Sequence, residues 1–251
     1  MDKTASSSFK IASGPESAGG VVFLTPEPQP QDARVQYFTR LGGLSKPPFD
    51  SLNVSVRIGD TREAVGENLV RIAKSMYGTS SAWVQQLSGT EVSRVSDSGF
   101  AGQGDSLVTA EEDLALVVAV ADCVPVALVS HHEVAMVHSG WRGTIGGIAS
   151  KTAAEMNMGA VSAYIGPCIR ECCYEVSEDL ARRFADRFGS EVVSGRYLSL
   201  PAAIRSDLEE QGISEVYDLG LCTGCRPDLF YSHRKEGPKT GRTLASVVKV
   251  S

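Results

Sequence analysis

Cys123 and His138 are the residues of this chain best suited to chemistry. The run LVVAVADCVPVALV breaks between two apolar stretches at Asp122 and Cys123, and Pro125 prevents simple continuation of a central ladder. Fifteen residues on, VAMVHSGWRGT ends another apolar stretch at His138 and passes through Gly-Trp-Arg-Gly toward a helix N-terminus. If those strands are neighbours, thiol and imidazole finish at one edge. So placed, they can form a thiolate–imidazolium pair or give two ligands to a soft or borderline ion. A Cys and a His at this spacing are more often a small core residue and a satisfied polar one. The Asp before the Cys, and the Trp- and Arg-bearing turn after the His, instead suit an anion-binding pocket.

Arginines extend that pocket. Arg40 in TRLGG, Arg57 before GD, Arg142 in GWRG and Arg242 in TGR fall on predicted loops or turns. There a planar guanidinium can clamp phosphate or carboxylate, the alternative for each being a surface ion pair. Arg142 leads, because it follows the His138 turn directly. Asn53 is suited to orienting a sugar hydroxyl or the Cys loop, and Asp122 to orienting a ligand or a water. His131 and His132 belong to the turn after VALVS, at the far end of that strand, and read as a solvated pair. Cys222-x-x-Cys225 with His233, or Cys168 with Cys172 and Cys173, offers no complete four-ligand set within either cluster. These are read as packed thiols.

The elements that must position these residues follow from pattern. Residues 1 to 30, ending in the Pro-rich TPEPQPQ, are expected to be a disordered or loosely attached tail, with 31 to 251 a single domain. Val35 to Thr39 reads as a strand leading into the irregular loop LGGLSKPPFDSLN. Asp60 with Glu63 gives a capping-box signal for a helix closed by Gly78. WVQQL, EVSRV, DSLVT, LALVVAV, PVALV and VAMVH read as short strands with no helices between them, which favours antiparallel or mixed pairing. Thr144 is expected to cap a helix running to about Met156, SAYIG to form a strand, and Ser177 to open the helix EDLARRFADRF. A helix over about 201–211, a strand at EVYDL, a helical turn near 228–231 and a final strand at LASVVKV complete an α+β class, mixed sheets flanked by helices.

Bulk properties narrow the partners. With 24 basic and 30 acidic residues the 251-residue chain carries a net charge of −6, so a sequence-independent nucleic-acid footprint is not expected. Its longest apolar stretch, Leu114 to Ala121, is 8 residues, against about 20 needed to span a bilayer. The first residues lack the apolar core of an export signal, so the expectation is a cytoplasmic protein, no membrane, and six reduced cysteines.

The motifs FTRLGGLS, SLN, GDSLVT, ADCVPV, HSGWRGT, YIGPCI with CCYEV, and FYSHRKEG with TGR occur in order along the chain. In this the chain resembles the YfiH-like laccase-domain family. The resemblance implies the fold of cytotoxic-necrotizing-factor-like cysteine hydrolases. It also implies zinc-dependent purine nucleoside phosphorylase activity, with adenosine deaminase and methylthioadenosine phosphorylase activities, on a purine nucleoside and phosphate, by a monomer or homodimer. Cys123 and His138 match the family's second and third metal ligands. The first ligand, the His of Q-x-H-G-x-x-V, is replaced here by Ser88 in Gln86-Leu87-Ser88-Gly89, a poor zinc donor that implies an impaired site. Three other readings remain: a metal-free hydrolase with Cys123 as nucleophile and His138 as base, editing peptidoglycan precursors; a copper-dependent polyphenol oxidase, disfavoured by only 4 histidines; and an inactive binding module.

Overall fold

Continuous apolar runs such as LALVVAV and PVALV belong to strands covered on both faces. The computed structural model, which describes residues 8–13, 20–77, 80–156 and 159–250, supplies those covers. In chain order, strands β1 (Ser8–Ser13), β2 (Val22–Glu27) and β3 (Ala33–Phe38) precede helix α1 (Arg62–Ser75). Then come β4 (Ser80–Gln85), β5 (Val92–Arg94), β6 (Gly99–Gln103), β7 (Ser106–Thr109), β8 (Leu114–Val120), β9 (Val124–Val129) and β10 (Val134–Ser139). Helices α2 (Trp141–Ile145) and α3 (Ile148–Glu155) lead to β11 (Ser162–Ile165), α4 (Glu178–Phe188), and the short pair β12 (Val193–Ser194) and β13 (Tyr197–Leu198). Helix α5 (Leu200–Glu209), β14 (Glu215–Asp218), α6 (His233–Glu236) and β15 (Thr243–Lys249) finish the chain.

Among the described residues a seven-stranded sheet runs β1-β2-β3-β15-β8-β4-β6, and a six-stranded sheet runs β14-β11-β9-β10-β7-β5. Both are mixed: β4 pairs in parallel with β8 and β6, while β8 and β15 are antiparallel. The sheets pack face to face, and period-2 alternation decides what each residue meets. In β8, Leu114, Leu116 and Val118 join the inter-sheet core, whereas Ala115 and Val117 turn outward with Ile72 of α1. In β10, Val134 and Met136 enter the inter-sheet core, whereas Ala135 and Val137 meet Ile148, Phe184 and Ile204 of the helices behind. The result is four layers, helix, sheet, sheet, helices. Each fully buried Val or Leu contributes on the order of 1.5–3 kcal/mol.

The expectation of a tail over residues 1 to 30 needs correction. Strand β2 buries Phe23 and Leu24 and pairs with β3, and β1 pairs with β2 along its whole length. Strand β1 carries an exposed Ile11 and is held at the sheet edge by backbone hydrogen bonds, which leave no apolar period to read. Residues 1–7 and 14–19 lie outside the described residues, as does Gly78, the expected helix stop.

Three further elements differ. Thr61, not Asp60, caps α1, its hydroxyl accepting from the Ala64 N–H, because the Asp60 carboxylate is taken by Ser45 and Asn53. The single helix expected over 144–156 is two, divided at Gly146 and Gly147, the latter in the left-handed region at φ 73°. Thr144 lies inside the first of them, its hydroxyl turned back to the Gly140 carbonyl. The turn expected near 228–231 is present, Leu229 and Phe230 donating to the Arg226 carbonyl, but it is followed by a separate short helix, α6, that begins at His233. Among the described residues no helix is long and apolar enough to cross a membrane.

Candidate active site

Strands β9 and β10 pair antiparallel with Ser139 opposite Val124 and His138 opposite Pro125. Cys123, one residue before β9, and His138, near the end of β10, therefore finish at the same edge. His131 and His132 sit in the connection at the other end. His138 shares the parity of Val134 and Met136 and so points between the sheets, at their mouth. On the other side of β10, Val137 pairs with Ser106, which sets Asp105 beside His138. The His138 N–H donates to the Asp105 carbonyl at 2.7 Å, and His138 Nδ1 lies 2.8 Å from Asp105 Oδ1. With Nδ1 taken, only Nε2 is left toward the Cys123 sulfur, which acts on the charge of the ring.

Asp105, 1% exposed, is the hub of this arrangement. Besides His138 it accepts the backbone N–H groups of Leu87, Ser88 and Gly89 at 3.1, 2.9 and 2.6 Å. Ser88 adopts the left-handed region, φ 59°, to bring those three donors onto one carboxylate. Two residues earlier, Gln86 accepts from and donates to the backbone of Ala119, continuing the β4–β8 ladder with a side chain. Burial pushes the Asp105 carboxyl up, but His138 and the Gly89 and Ser88 N–H groups outweigh it and the net shift is down. Burial likewise works against a charged His138. The Cys123 sulfur and Asp105 more than compensate, and the imidazole is pushed up to about 9.

Asp122 works in the opposite direction, away from the cavity floor. It takes φ 83°, which Asp tolerates better than most residues. Its carboxylate accepts from Thr223 Oγ1 and from the Arg234 N–H, both at 2.6 Å, while Ile169 donates to its carbonyl. Asp122 thereby ties the Cys123 turn to two distant loops. Gly140 allows the His138 turn to pass over the thiol, since a Cβ there would lie 3.1 Å from Cys123 Sγ.

These groups open on a cavity of about 890 Å³ whose wall includes Ser88, Asp122, Cys123, His138, Arg57, Arg142, Arg234 and Arg242. Among the described residues, Arg57, Arg142, Arg234 and Arg242 form no ion pair with a carboxylate. Arg142 lies over the Trp141 ring at 4.2 Å, and Arg242 is fixed by donating to the Thr240 and Gly241 carbonyls. Trp83 and Phe100, opposite one another in β4 and β6, stand largely exposed on the same wall.

Two expected site residues are placed elsewhere. Arg40 is buried under Tyr231 and bonded to Glu236 and to the Asp50 and Pro227 carbonyls, so its charge is spent on loop architecture. Asn53 is fully buried, its Oδ1 accepting the Arg242 N–H at 3.0 Å; it positions Arg242 and does not line the cavity. Asp105, His233 and Arg234 lie in GDSLVT and FYSHRKEG but carry no periodic or spacing signal of their own. Their roles come from strand register and from loops that meet only in space.

The reading of the remaining cysteines as packed thiols holds for buried Cys168 and Cys222, whereas Cys173 is partly exposed and Cys172 and Cys225 are exposed. Cys172, Cys173, Cys222 and Cys225 converge with all four sulfurs within 4.8 Å of one another. Two pairs that are each incomplete in sequence meet in the fold. Among the described residues this is the one convergence of three or more His, Cys, Asp or Glu donors, and it is not at Cys123.

A Cys–His–Asp alignment with its His and Asp buried, beside an arginine-walled cavity on two stacked mixed sheets, places the chain in a defined group. Residues 34–250 match the family described as multi-copper polyphenol oxidoreductase laccase, and the chain belongs to that YfiH-like family. Among its relatives are the purine nucleoside phosphorylase YlmD of Geobacillus stearothermophilus, 34% identical over 83% of this chain and 87% of that protein, and a purine nucleoside phosphorylase of Deinococcus radiodurans, 36% identical over 84% and 87%. The solved structure of Geobacillus stearothermophilus YlmD superposes with a TM-score of 0.82 at 31% identity, covering 91% of this chain and 96% of that one. The Neisseria meningitidis protein NMB0706 superposes equally well, with a TM-score of 0.82 at 29% identity over 91% and 99%.

Proposed function

We propose that this protein is a purine nucleoside phosphorylase acting at the Cys123–His138 cavity, with adenosine deamination and methylthioadenosine phosphorolysis as further reactions of the same pocket. The observation that carries the reading is the set of four arginines whose guanidinium groups have no carboxylate partner among the described residues, Arg57, Arg142, Arg234 and Arg242, on the wall shared with His138, whose buried imidazole is pushed up to about 9. Unpaired guanidinium groups on a half-dry wall are suited to a dianionic phosphate. Trp83 and Phe100 offer aromatic faces against which a purine can stack. A cavity of about 890 Å³ is large enough for a nucleoside and phosphate together.

In phosphorolysis a phosphate oxygen bonds to C1′ of the ribose as the bond from C1′ to the base breaks. The base leaves with the electron pair and needs a proton. His138 is the acid that faces the cavity, and Asp105 keeps its ring charged and oriented. The arginines hold the phosphate against the sugar and balance its charge.

Zinc is the metal the family resemblance suggests, yet the donors here do not complete a catalytic site, which takes three protein ligands. Cys123 and His138 provide two, and Ser88 adds only a neutral hydroxyl, so the steps above run through the chain's own residues. A multicopper cluster fits less well, since His131 and His132 lie at the far end of the strands. Arg142→Ala is expected to raise the KM for phosphate by roughly 10-fold or more, the loss of one charge-assisted hydrogen bond, with an unchanged melting temperature. Equal phosphate titrations for the two proteins would count against the reading.

One observation favours a second reading. Cys123, His138 and Asp105 are linked in the order nucleophile, base, orienting carboxylate, the arrangement of metal-free cysteine hydrolases. On that reading the substrate is an amide, as in a peptidoglycan precursor. An electrophilic amide analogue should then form a covalent adduct at Cys123, read by intact and peptide mass. Absence of any adduct, with phosphorolysis present, would eliminate this alternative.

A further inference from the structure

We infer that Cys172, Cys173, Cys222 and Cys225 form a closed tetrathiolate zinc site, separate from the catalytic cavity and serving to fix its loops. Its ground is geometric. Cys172 Sγ and Cys173 Sγ each lie 3.5 Å from Cys225 Sγ, and all four sulfurs fall within 4.8 Å of one another. A tetrahedral zinc with Zn–S bonds near 2.3 Å places its sulfurs about 3.8 Å apart. The observed separations bracket that value and lie well beyond a disulfide bond of about 2.05 Å.

The backbone prepares both halves. On one side, Cys173 and Tyr174 donate their N–H groups to the Arg170 carbonyl, at 2.8 Å each, turning two adjacent thiols outward. On the other, Cys225 donates to the Cys222 carbonyl at 3.2 Å, and Thr223 donates to that of Cys168 at 2.9 Å, so the Cys-x-x-Cys turn is stitched to the strand that carries YIGPC. Gly224 permits the approach: a Cβ there would lie 3.1 Å from both Cβ and Sγ of Cys173. Four ligands leave no open position, which makes the site structural. The Lys235 side chain passes close to Gly224 and supplies a cation near the negative tetrathiolate centre.

Position gives the site its purpose. Thr223, between two of the ligands, donates Oγ1 to Asp122, the residue before Cys123. Tyr174, next to Cys173, lines the catalytic cavity. An ion joining the two turns would hold Asp122 and Tyr174 in register from outside the pocket. This inference stands whether or not the pocket acts on nucleosides.

The test uses the full chain, kept reduced, carrying Cys123→Ser so that the cavity thiol cannot contribute. One equivalent of zinc should survive gel filtration. Cobalt exchanged for it should show strong sulfur-to-cobalt charge transfer with the visible bands of a tetrahedral ion. Cys222→Ser should lose both. Should that variant fail to fold, alkylation mapping on the unsubstituted protein decides: Cys172, Cys173, Cys222 and Cys225 are expected to be protected until a strong chelator is added, then labelled together. Absence of zinc in the reduced protein, labelling rates at these cysteines indifferent to zinc and chelator, or a disulfide joining Cys172 or Cys173 to Cys225 in the reduced, zinc-supplied protein would each overturn it.

Discussion

Asp105→Asn is expected to lower turnover by roughly 10- to 100-fold, the usual cost of removing a group that orients a working imidazole, and to destabilise the fold by about 3–5 kcal/mol, as for breaking a buried charged pair. The carboxylate receives three backbone N–H groups and His138 at once. An amide can accept on its oxygen only. Its NH2 then faces donors, and at least one buried N–H is left unpaired at about 1–3 kcal/mol. The pH dependence separates a positioning role from simple loss of packing. His138 titrates at about 9 in the fold against an ordinary 6.5. The stabilisation from its protonation is therefore whole below about 6.5 and fades as the pH rises through about 9. Without the Asp105 charge that upper boundary moves down, and the alkaline limb of the rate profile moves with it. NMR titration of the His138 ring in the two proteins checks this. An unmoved titration beside a lowered melting temperature would leave Asp105 as a packing residue only.

Ser88→His is expected to add one equivalent of bound zinc and to tighten zinc binding at the cavity by on the order of 100-fold, about 2.8 kcal/mol. Cys123 and His138 supply two donors, and Ser88 lines the same wall. An imidazole at position 88 supplies the third donor and leaves one open corner. The backbone there has φ 59°, a region in which His is several-fold enriched among non-glycine residues, so the loop and its three bonds to Asp105 should survive. A zinc-bound imidazole carries no proton to give, so phosphorolysis of adenosine by the His138 acid should fall as the metal loads. The measurement is zinc content and competition with a chromophoric chelator, the unsubstituted protein beside the Ser88→His variant, the tetrathiolate ion being common to both. Equal zinc and equal rates would show that residue 88 does not face the metal position.

The sequence by itself determined what depends on neighbours along the chain. Period-2 runs marked most of the strands, the Ser177 cap marked the start of α4, and the breaks in the apolar runs put Cys123 and His138 at strand ends, because alternation and capping act over a few residues. That the two ends share one edge follows from β9–β10 pairing. Tertiary structure alone decided the rest. Asp105 became the partner of His138 through β7–β10 register, and Arg40 and Asn53 were drawn into loop scaffolding by Glu236 and the Arg242 backbone. Two half-sites, 172–173 and 222–225, became one sulfur cluster only when loops some fifty residues apart met. No local period encodes such meetings. They follow from the order in which strands pack side by side, and that order is set by the burial of whole faces.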